Sequence, residues 1–555
     1  RLRAAEGPYV ADFDGWRPHE PLVFPDAVPQ CVEMSLNLLR LLWSLRSEGP
    51  LDGGVFRCLQ LEPQHIQSDK LTTKFRQQLQ DPLAVASSAL PEWCHLVTAM
   101  CPPLFPMELR HGYLACSAFG ISRAVARLQT QRGGGEGSGI ARLGSGDGLV
   151  LGRLRRESVR VRRGPELLDW ASNVMRLHAR RKTLLEVVFE GEEGHGAGVT
   201  AEFYSLVATE MQRRDLGVWV DDGGAGDHVV RPTGLFPAPL PPDAQSRQRV
   251  ARLFHTLGIF LAKVLLDNRL VHLPLSLPLY RWMVGQPLVP SDLNYIDPQR
   301  WVLLRGLHAL SAAKASIMSD PTLTTMAAKV AAIDELRIEM HGTQVSLDDL
   351  CLDFTYEPPC KGYGYTAYEL VPNGADIALT STNAEKYFAS LCKFCLSDGV
   401  HLQLTSLREG FDTVFPMSQL CVFTPEELRD LLGGSPSPTW TKQELSSFIE
   451  PKNGYDRDSF TFRNLVNMVA SFDDQQRRSF LQFTTGCPSM PPGGLRALEP
   501  RLSVHKTGGD GPMDGAYPSS NTCFHYLKLP NYSSEEVLRD RLEQAIGSGG
   551  GFYFN

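Results

Sequence analysis

The stretch from Arg249 to Asp267 constrains the fold more than any other, because Leu253, Leu257, Phe260, Leu261, Val264 and Leu265 leave it little polar surface. A helix this apolar has to be covered by other elements rather than by water. No run in the chain approaches the roughly 18 consecutive apolar residues that a membrane span needs. The expectation is therefore a core helix inside a large body. A length of 555 residues predicts roughly three to four domains. A net charge of -7 gives no basic footprint for nucleic acid. The run Arg153 to Arg163 is basic, and we read it as a solvated face or as the mate of an acidic partner within the chain.

The twelve cysteines are scattered rather than clustered, which points to a reducing compartment, cytosol or nucleus. Cys392 and Cys395 form one Cys-x-x-Cys with no second pair at zinc spacing, inside a helical pattern, so no metal is called for. The chain starts at Arg1 without a signal-peptide pattern, which reads as a fragment of something longer.

Along the chain, residues 1–130 read as mostly helical. Apolar stripes or boundaries mark helices at Cys31–Leu45, Leu71–Gln80, Glu92–Met100 and Met107–Arg127. The first of these reads as too apolar to be solvated. Gly133 to Gly139 and Gly144 to Gly148 form a linker that cannot bury enough to order itself. Leu184–Glu190 reads as a strand, followed by a Gly-rich loop and a helix over Ala201–Arg213. That loop lacks the lysine a phosphate would need and carries Glu192 and Glu193, so nucleotide binding is rejected. Asp292–Leu310 and Ala328–Met340 read as helices. Short strands follow near Phe354–Tyr356, Gly364–Tyr365 and Glu369–Val371, then a capped helix from Thr382 to about Leu396. A helix begins at Thr424-Pro425 and ends before Gly433-Gly434-Ser435-Pro436-Ser437-Pro438.

The chemistry concentrates in residues 517–532. Cys523 stands after Asn521 and Thr522, at the junction between a polar loop and an apolar strand with Phe524 and Tyr526 alternating against Leu527 and Leu529. A thiol placed so is held rigidly while staying accessible, as a covalent carrier requires. A lone cysteine is otherwise an inert buried residue. His525 is two residues on, and on a strand it would share the face of Cys523.

Thr522-Cys523-Phe524, the run Leu527-x-Leu529-Pro530-x-Tyr532 and the end Gly551-Phe552-Tyr553-Phe554-Asn555 resemble the terminus of HECT-type ubiquitin ligases. Leu104-Phe105-Pro106 and Ala118 to Ala124 resemble the HECT-domain-containing-protein-one branch. The resemblance covers residues 184–555 closely and the earlier part loosely. It implies an α+β chain with a bilobal catalytic domain, a mostly helical N-lobe and an α/β C-lobe, preceded by a helical module. The boundaries it implies are a support module over 1–130, a Gly-rich and basic linker over 131–163, an N-lobe over 164–432, a hinge over 433–439 and a C-lobe over 440–555.

It also implies that Cys523 carries ubiquitin as a thioester, with Asn521, Thr522, Phe552 and Asn555 in support. Tyr387, Leu391 and Leu304 would line the groove for a ubiquitin-conjugating enzyme. The implied partners are ubiquitin, that enzyme and protein substrates, with no nucleic acid, membrane or cofactor. The chain departs from the pattern at Asn521, where many relatives have His, at His525, where many have Asn, and at Ala201, which replaces a common Arg. Two other readings stay open on the residues alone. One is a non-catalytic helical scaffold with a structural Cys523, the other a thiol hydrolase using His525 or His505.

Overall fold

A computed structural model of the protein describes residues 29–46, 63–132, 155–434 and 440–547, less short gaps at 82–83, 86, 88, 193–195, 225, 360, 492–493, 499, 510 and 523. The upstream helices span Gln30–Arg46, Asp69–Gln80, Glu92–Met100, Met107–Ser117 and Ile121–Arg132. Ser68 caps the second by accepting a hydrogen bond from the Leu71 amide at 3.4 Å. The single helix expected over Met107–Arg127 is two, because Gly120 takes φ +91°, a left-handed value that ends one helix and redirects the chain into the next. The first helix departs from expectation too. Leu36 is buried, but Met34 and Leu38 stand exposed.

Strand β1, Arg156–Val161, pairs in parallel with β2, Leu184–Phe189, with Arg156 opposite Leu184 and Val161 opposite Phe189. Part of the stretch expected as linker is therefore a strand. Alternation of Glu157, Val159 and Val161 against exposed Arg156, Ser158 and Arg160 carries it, under a charge density that masks the period. The helix Leu167–His178 crosses over between the two strands.

The apolar helix runs over Arg247–Leu266, and from Thr256 onward every residue is buried. Its main neighbour is the helix His401–Asp412. The two lie so close at Gly258 and Gly410 that a Cβ on either would run into the Leu407 or His255 carbonyl. A smaller group of elements is inserted between them. The helix Pro298–Ser319, capped by Asp297, is longer than expected, and Met326–Asp334 is helical. Ile338–Met340 (β3) leaves the expected helix to pair with Thr343–Val345 (β4). Thr355–Tyr356 (β5) pairs antiparallel with Tyr368–Glu369 (β6), and the helix Ala384–Lys393 follows.

After the helix Pro425–Gly433, a second body carries helices Lys442–Phe448, Phe460–Ala470, Asp474–Thr485 and Glu535–Gly547. Its four-stranded sheet has the order β7-β8-β10-β9, built from Glu450–Lys452, Ser503–Thr507, Tyr526–Pro530 and Ser519–Asn521. β7 and β10 run parallel to β8, and β9 runs antiparallel to β10. Buried apolar residues fall into two clusters, one from Leu36 to Leu432 and one from Trp440 to Ile546. The upstream helices thus share a core with the long-helix body. Phe119 packs edge-on against Phe415 at 5.3 Å.

Candidate functional site

The last two strands form a hairpin in which Tyr526 faces Asn521 and Lys528 faces Ser519. Leu527 and Leu529 are fully buried and anchor β10, while Lys528 on the outer face is exposed. The tip, residues 522–525, carries the Cys523 position. Cys523 itself lies outside the described residues, as do Phe552 and Asn555. Its neighbours are described. The Asn521 side-chain oxygen accepts from the Phe524 amide at 3.2 Å, which closes the tip as a turn. Thr522 lies beside Gly486, and Phe524 projects its ring into solvent at 65% exposure.

His525 corrects the expectation that it shares a strand face with Cys523. The strand begins only at Tyr526, and His525 has φ +48°, so the alternation of a strand does not apply to it. Its Nδ1 lies 2.6 Å from the Pro500 carbonyl oxygen, and its own carbonyl accepts from the Ser503 amide at 2.9 Å. Burial holds the imidazole below its usual pKa, the bond to Pro500 opposes this, and the charge of Arg269 adds to the lowering. The neutral ring therefore donates from Nδ1 to Pro500.

His505 sits on β8 with Nε2 3.0 Å from Ser503 Oγ and Nδ1 3.0 Å from Asn453 Nδ2, and it stacks on Tyr526 at 4.6 Å. Both ring nitrogens are engaged within the sheet and its edge.

The hairpin tip rests on a turn that ends the helix Asp474–Thr485. Gly486 caps this helix at φ +78°, a conformation glycine adopts without strain. Ser520 Oγ donates to the Phe483 carbonyl at 2.5 Å. The same turn touches the first core. Ser205 Oγ donates to the Gly486 carbonyl at 3.2 Å, and Cys487 Sγ lies 3.5 Å from the Leu270 carbonyl. Burial pushes the Cys487 thiol up to about 11, so it stays protonated at neutral pH and is a poor nucleophile. Ser205 and Leu270 escaped the sequence reading because they meet the turn only through long-range packing.

The three residues assigned to a groove are interior. Leu304 is 0% exposed, Leu391 1% and Tyr387 4%. The Tyr387 ring meets Phe354 edge-on at 5.3 Å, and burial pushes its hydroxyl up to about 12. An aromatic stripe at helical spacing here fills a core, and the half-buried Phe388 on the same helix faces His308 at 6.3 Å. Cys392 and Cys395 are buried as well, and burial pushes Cys395 up to about 12.

Fold and site together define an α+β protein whose last sheet presents a cysteine-bearing loop against a mostly helical body. Residues 205–555 match the HECT-domain (ubiquitin-transferase) family, and the chain belongs to that family. It is 39% identical to the E3 ubiquitin-protein ligase hecd-1 of Caenorhabditis elegans, over 97% of this chain and 22% of the relative. It is likewise 39% identical to the E3 ubiquitin-protein ligase Ufd4 of Drosophila melanogaster, over 88% of this chain and 20% of the relative. Identity to the E3 ubiquitin-protein ligase TRIP12 of Danio rerio is 36%, over 87% of this chain and 24% of the relative. The chain thus spans between a fifth and a quarter of the length of these relatives.

Proposed function

We propose that this chain is the catalytic part of a ubiquitin-protein ligase that accepts ubiquitin as a thioester on Cys523 and passes it to substrate lysines. The observation that carries this is the family match over residues 205–555, which includes the hairpin whose tip bears Cys523. Relatives named E3 ubiquitin-protein ligases support it. The Cys523 thiolate attacks the carbonyl of the thioester between ubiquitin and its conjugating enzyme. A tetrahedral intermediate collapses, and the enzyme's cysteine leaves as thiolate. One thioester replaces another, so the step is nearly isoenergetic. A free thiol with a pKa of about 8.5 supplies enough thiolate without strong activation. That suits a loop whose nearest imidazole, His525, is turned to Pro500. The lysine amine then attacks the new thioester and must shed a proton from a pKa near about 10.4. By resemblance, Phe552 and Asn555 support this step.

In this reading the bodies before and after the 433–439 hinge are an N-lobe and a C-lobe, with the pivot in that hinge, and the helices within 1–130 are a support module. Conjugating enzyme and protein substrates are the partners, without nucleic acid or membrane, in cytosol or nucleus. The conjugating enzyme meets the surface around Phe388, with Tyr387, Leu391 and Leu304 forming its backing.

The test is a non-reducing gel after incubation with activating enzyme, conjugating enzyme and labelled ubiquitin. Cys523→Ala abolishes the thiol-sensitive adduct and Cys487→Ala retains it. An adduct that persists in Cys523→Ala overturns the assignment. A wild-type chain that forms none favours the scaffold, and cleavage of ubiquitin conjugates favours the hydrolase.

A further inference from the structure

We propose that Arg123, in the helical segment upstream of the matched family region, is a positioning residue for transfer from Cys523. It sets the Asp267–Val271 turn, which meets the Gly486–Cys487 turn beneath the hairpin tip. The inference rests on the ligase reading above.

Arg123 lies on the helix Ile121–Arg132 with its side chain only 9% exposed. Its Nε donates to the Lys182 carbonyl at 3.1 Å, Nη1 to the Leu266 carbonyl at 2.5 Å, and Nη2 to Asp267 Oδ1 at 2.6 Å. One planar fork thus holds the segment just before β2, the last turn of the Arg247–Leu266 helix and the carboxylate that follows it. A guanidinium can do this and an ammonium cannot, because its donors point in fixed and divergent directions. The helix C-terminus is also where orphan carbonyls and the helix dipole favour a cation.

The turn set by these bonds faces both cores. Asp267 Oδ2 accepts from the Tyr204 hydroxyl at 3.1 Å, and the next residue, Ser205, donates to Gly486. Asn268 takes φ +49°, which reverses the chain. Arg269 places its charge near His525 at the hairpin tip. The Leu270 carbonyl meets Cys487 Sγ. The Val271 amide donates at 2.9 Å to Leu432, one residue before the end of the helix that enters the linker. Within five consecutive residues, Asp267 bonds the upstream Arg123, Leu270 meets Cys487 in the turn beneath the hairpin tip, and Val271 bonds the helix that ends at the hinge. Such a contiguous set of bonds can pass a shift at Arg123 to the seat.

The seated orientation serves the lysine step. Its crossing bonds end on Ser205 and Leu270, outside the 298–393 group of elements to which the conjugating enzyme is assigned.

The experiment separates the two half-reactions in the full chain. Charging of Cys523 by loaded conjugating enzyme is timed first, and discharge of the charged chain to free lysine is timed separately. Hydrogen exchange is followed in residues 483–490, with the helix Phe460–Ala470 as control. Arg123→Ala is expected to slow discharge by about tenfold, within the range of ordinary coupling between sites. Charging keeps its rate, and exchange rises in 483–490 but not in the control. Arg123→Lys, which keeps the charge and one donor direction, falls between. Unchanged discharge overturns the proposal. So does a joint fall of both half-reactions with exchange rising throughout the Arg247–Leu266 helix, which marks a merely structural role. If the unmodified chain forms no adduct on Cys523, the ligase reading falls, while exchange in 483–490 still decides whether Arg123 sets the seat.

Discussion

Arg110 offers a quantitative test of how the upstream helices are joined to the first core. It is 1% exposed and among the largest fully buried side chains of the protein. Its Nε donates to the Phe105 carbonyl at 2.9 Å and Nη1 to the Val422 carbonyl at 2.9 Å, while both terminal nitrogens engage the Glu427 carboxylate. Glu427 also closes the capping box of the helix Pro425–Gly433, accepting from the Thr424 amide at 2.9 Å. Arg110→Ala leaves that carboxylate without its cation and two carbonyls without a donor. Removing one partner of a buried pair costs about 3–5 kcal/mol. Glu427 is 21% exposed and keeps its capping bond, which places the loss near the lower end, about 3 kcal/mol. For a body running from Leu36 to Leu432, with an unfolding entropy of about 2.1 cal/mol/K per residue, that is a fall of about 3–4 °C in the first unfolding transition. A double-mutant cycle with Glu427→Gln should return a coupling of about 1.5–3 kcal/mol, as for hydrogen bonds to charged groups. Calorimetry and urea unfolding of the four chains measure both quantities. A loss below about 1 kcal/mol, with no coupling, refutes the claim that this pair welds the upstream segment to the core.

Three further outcomes are expected. Tyr387→Ala removes a buried ring and costs about 3–5 kcal/mol, so charging should fall only as far as folding does; lost charging at an unchanged melting temperature contradicts the core assignment. Gly434 has φ +79°, and a Cβ there would run into the Met490 carbonyl, whereas one at Gly433 meets only the Val271 oxygen at 3.8 Å. Gly434→Ala should therefore loosen 487–490 in hydrogen exchange and slow discharge while Gly433→Ala does neither, and equal behaviour of the two places the pivot elsewhere. Burial and the Arg127 charge lower His111 to about 4, so below its ordinary 6.5 the unfolded chain takes up the proton first and stability falls as pH drops toward 4. That contribution reaches up to about 3 kcal/mol, and His111→Gln should flatten the slope of unfolding free energy over the window.

Local signals were legible wherever burial and period agreed. The Arg247–Leu266 helix follows from its apolar residues alone, and the capped start at Thr424 from one Thr, one Pro and one Glu. Strand β1 was hidden because its outward positions are two arginines and a serine and its inward ones only three. The break at Gly120 was missed because a single glycine inside an apolar pattern is compatible with a continuing helix. At the site, the hairpin and its buried leucines were readable, but the backbone of His525 was not. A left-handed histidine is decided by its bond to Pro500, 25 residues earlier in the chain. The groove residues show the converse. Position along a helix identifies the stripe, and only the packing of Phe354 and its neighbours decides whether the stripe is covered.

The two kinds of contact made by the first core differ in strength, and the difference fits the proposed chemistry. The upstream segment is held by Arg110 and Arg123, two guanidiniums that each combine a carboxylate with main-chain carbonyls in nearly dry surroundings. Such bonds are expensive to break singly. The second core is held by a serine hydroxyl, a thiol and a close glycine approach. Neutral bonds of this kind contribute about 0.5–1.5 kcal/mol each. An equilibrium resting on bonds of this kind can be reversed by a ligand with a modest preference for one orientation. A carrier loop that must receive ubiquitin from one protein and deliver it to another needs that reversibility. The upstream segment needs the opposite, since a seat that moved with the loop could not align it.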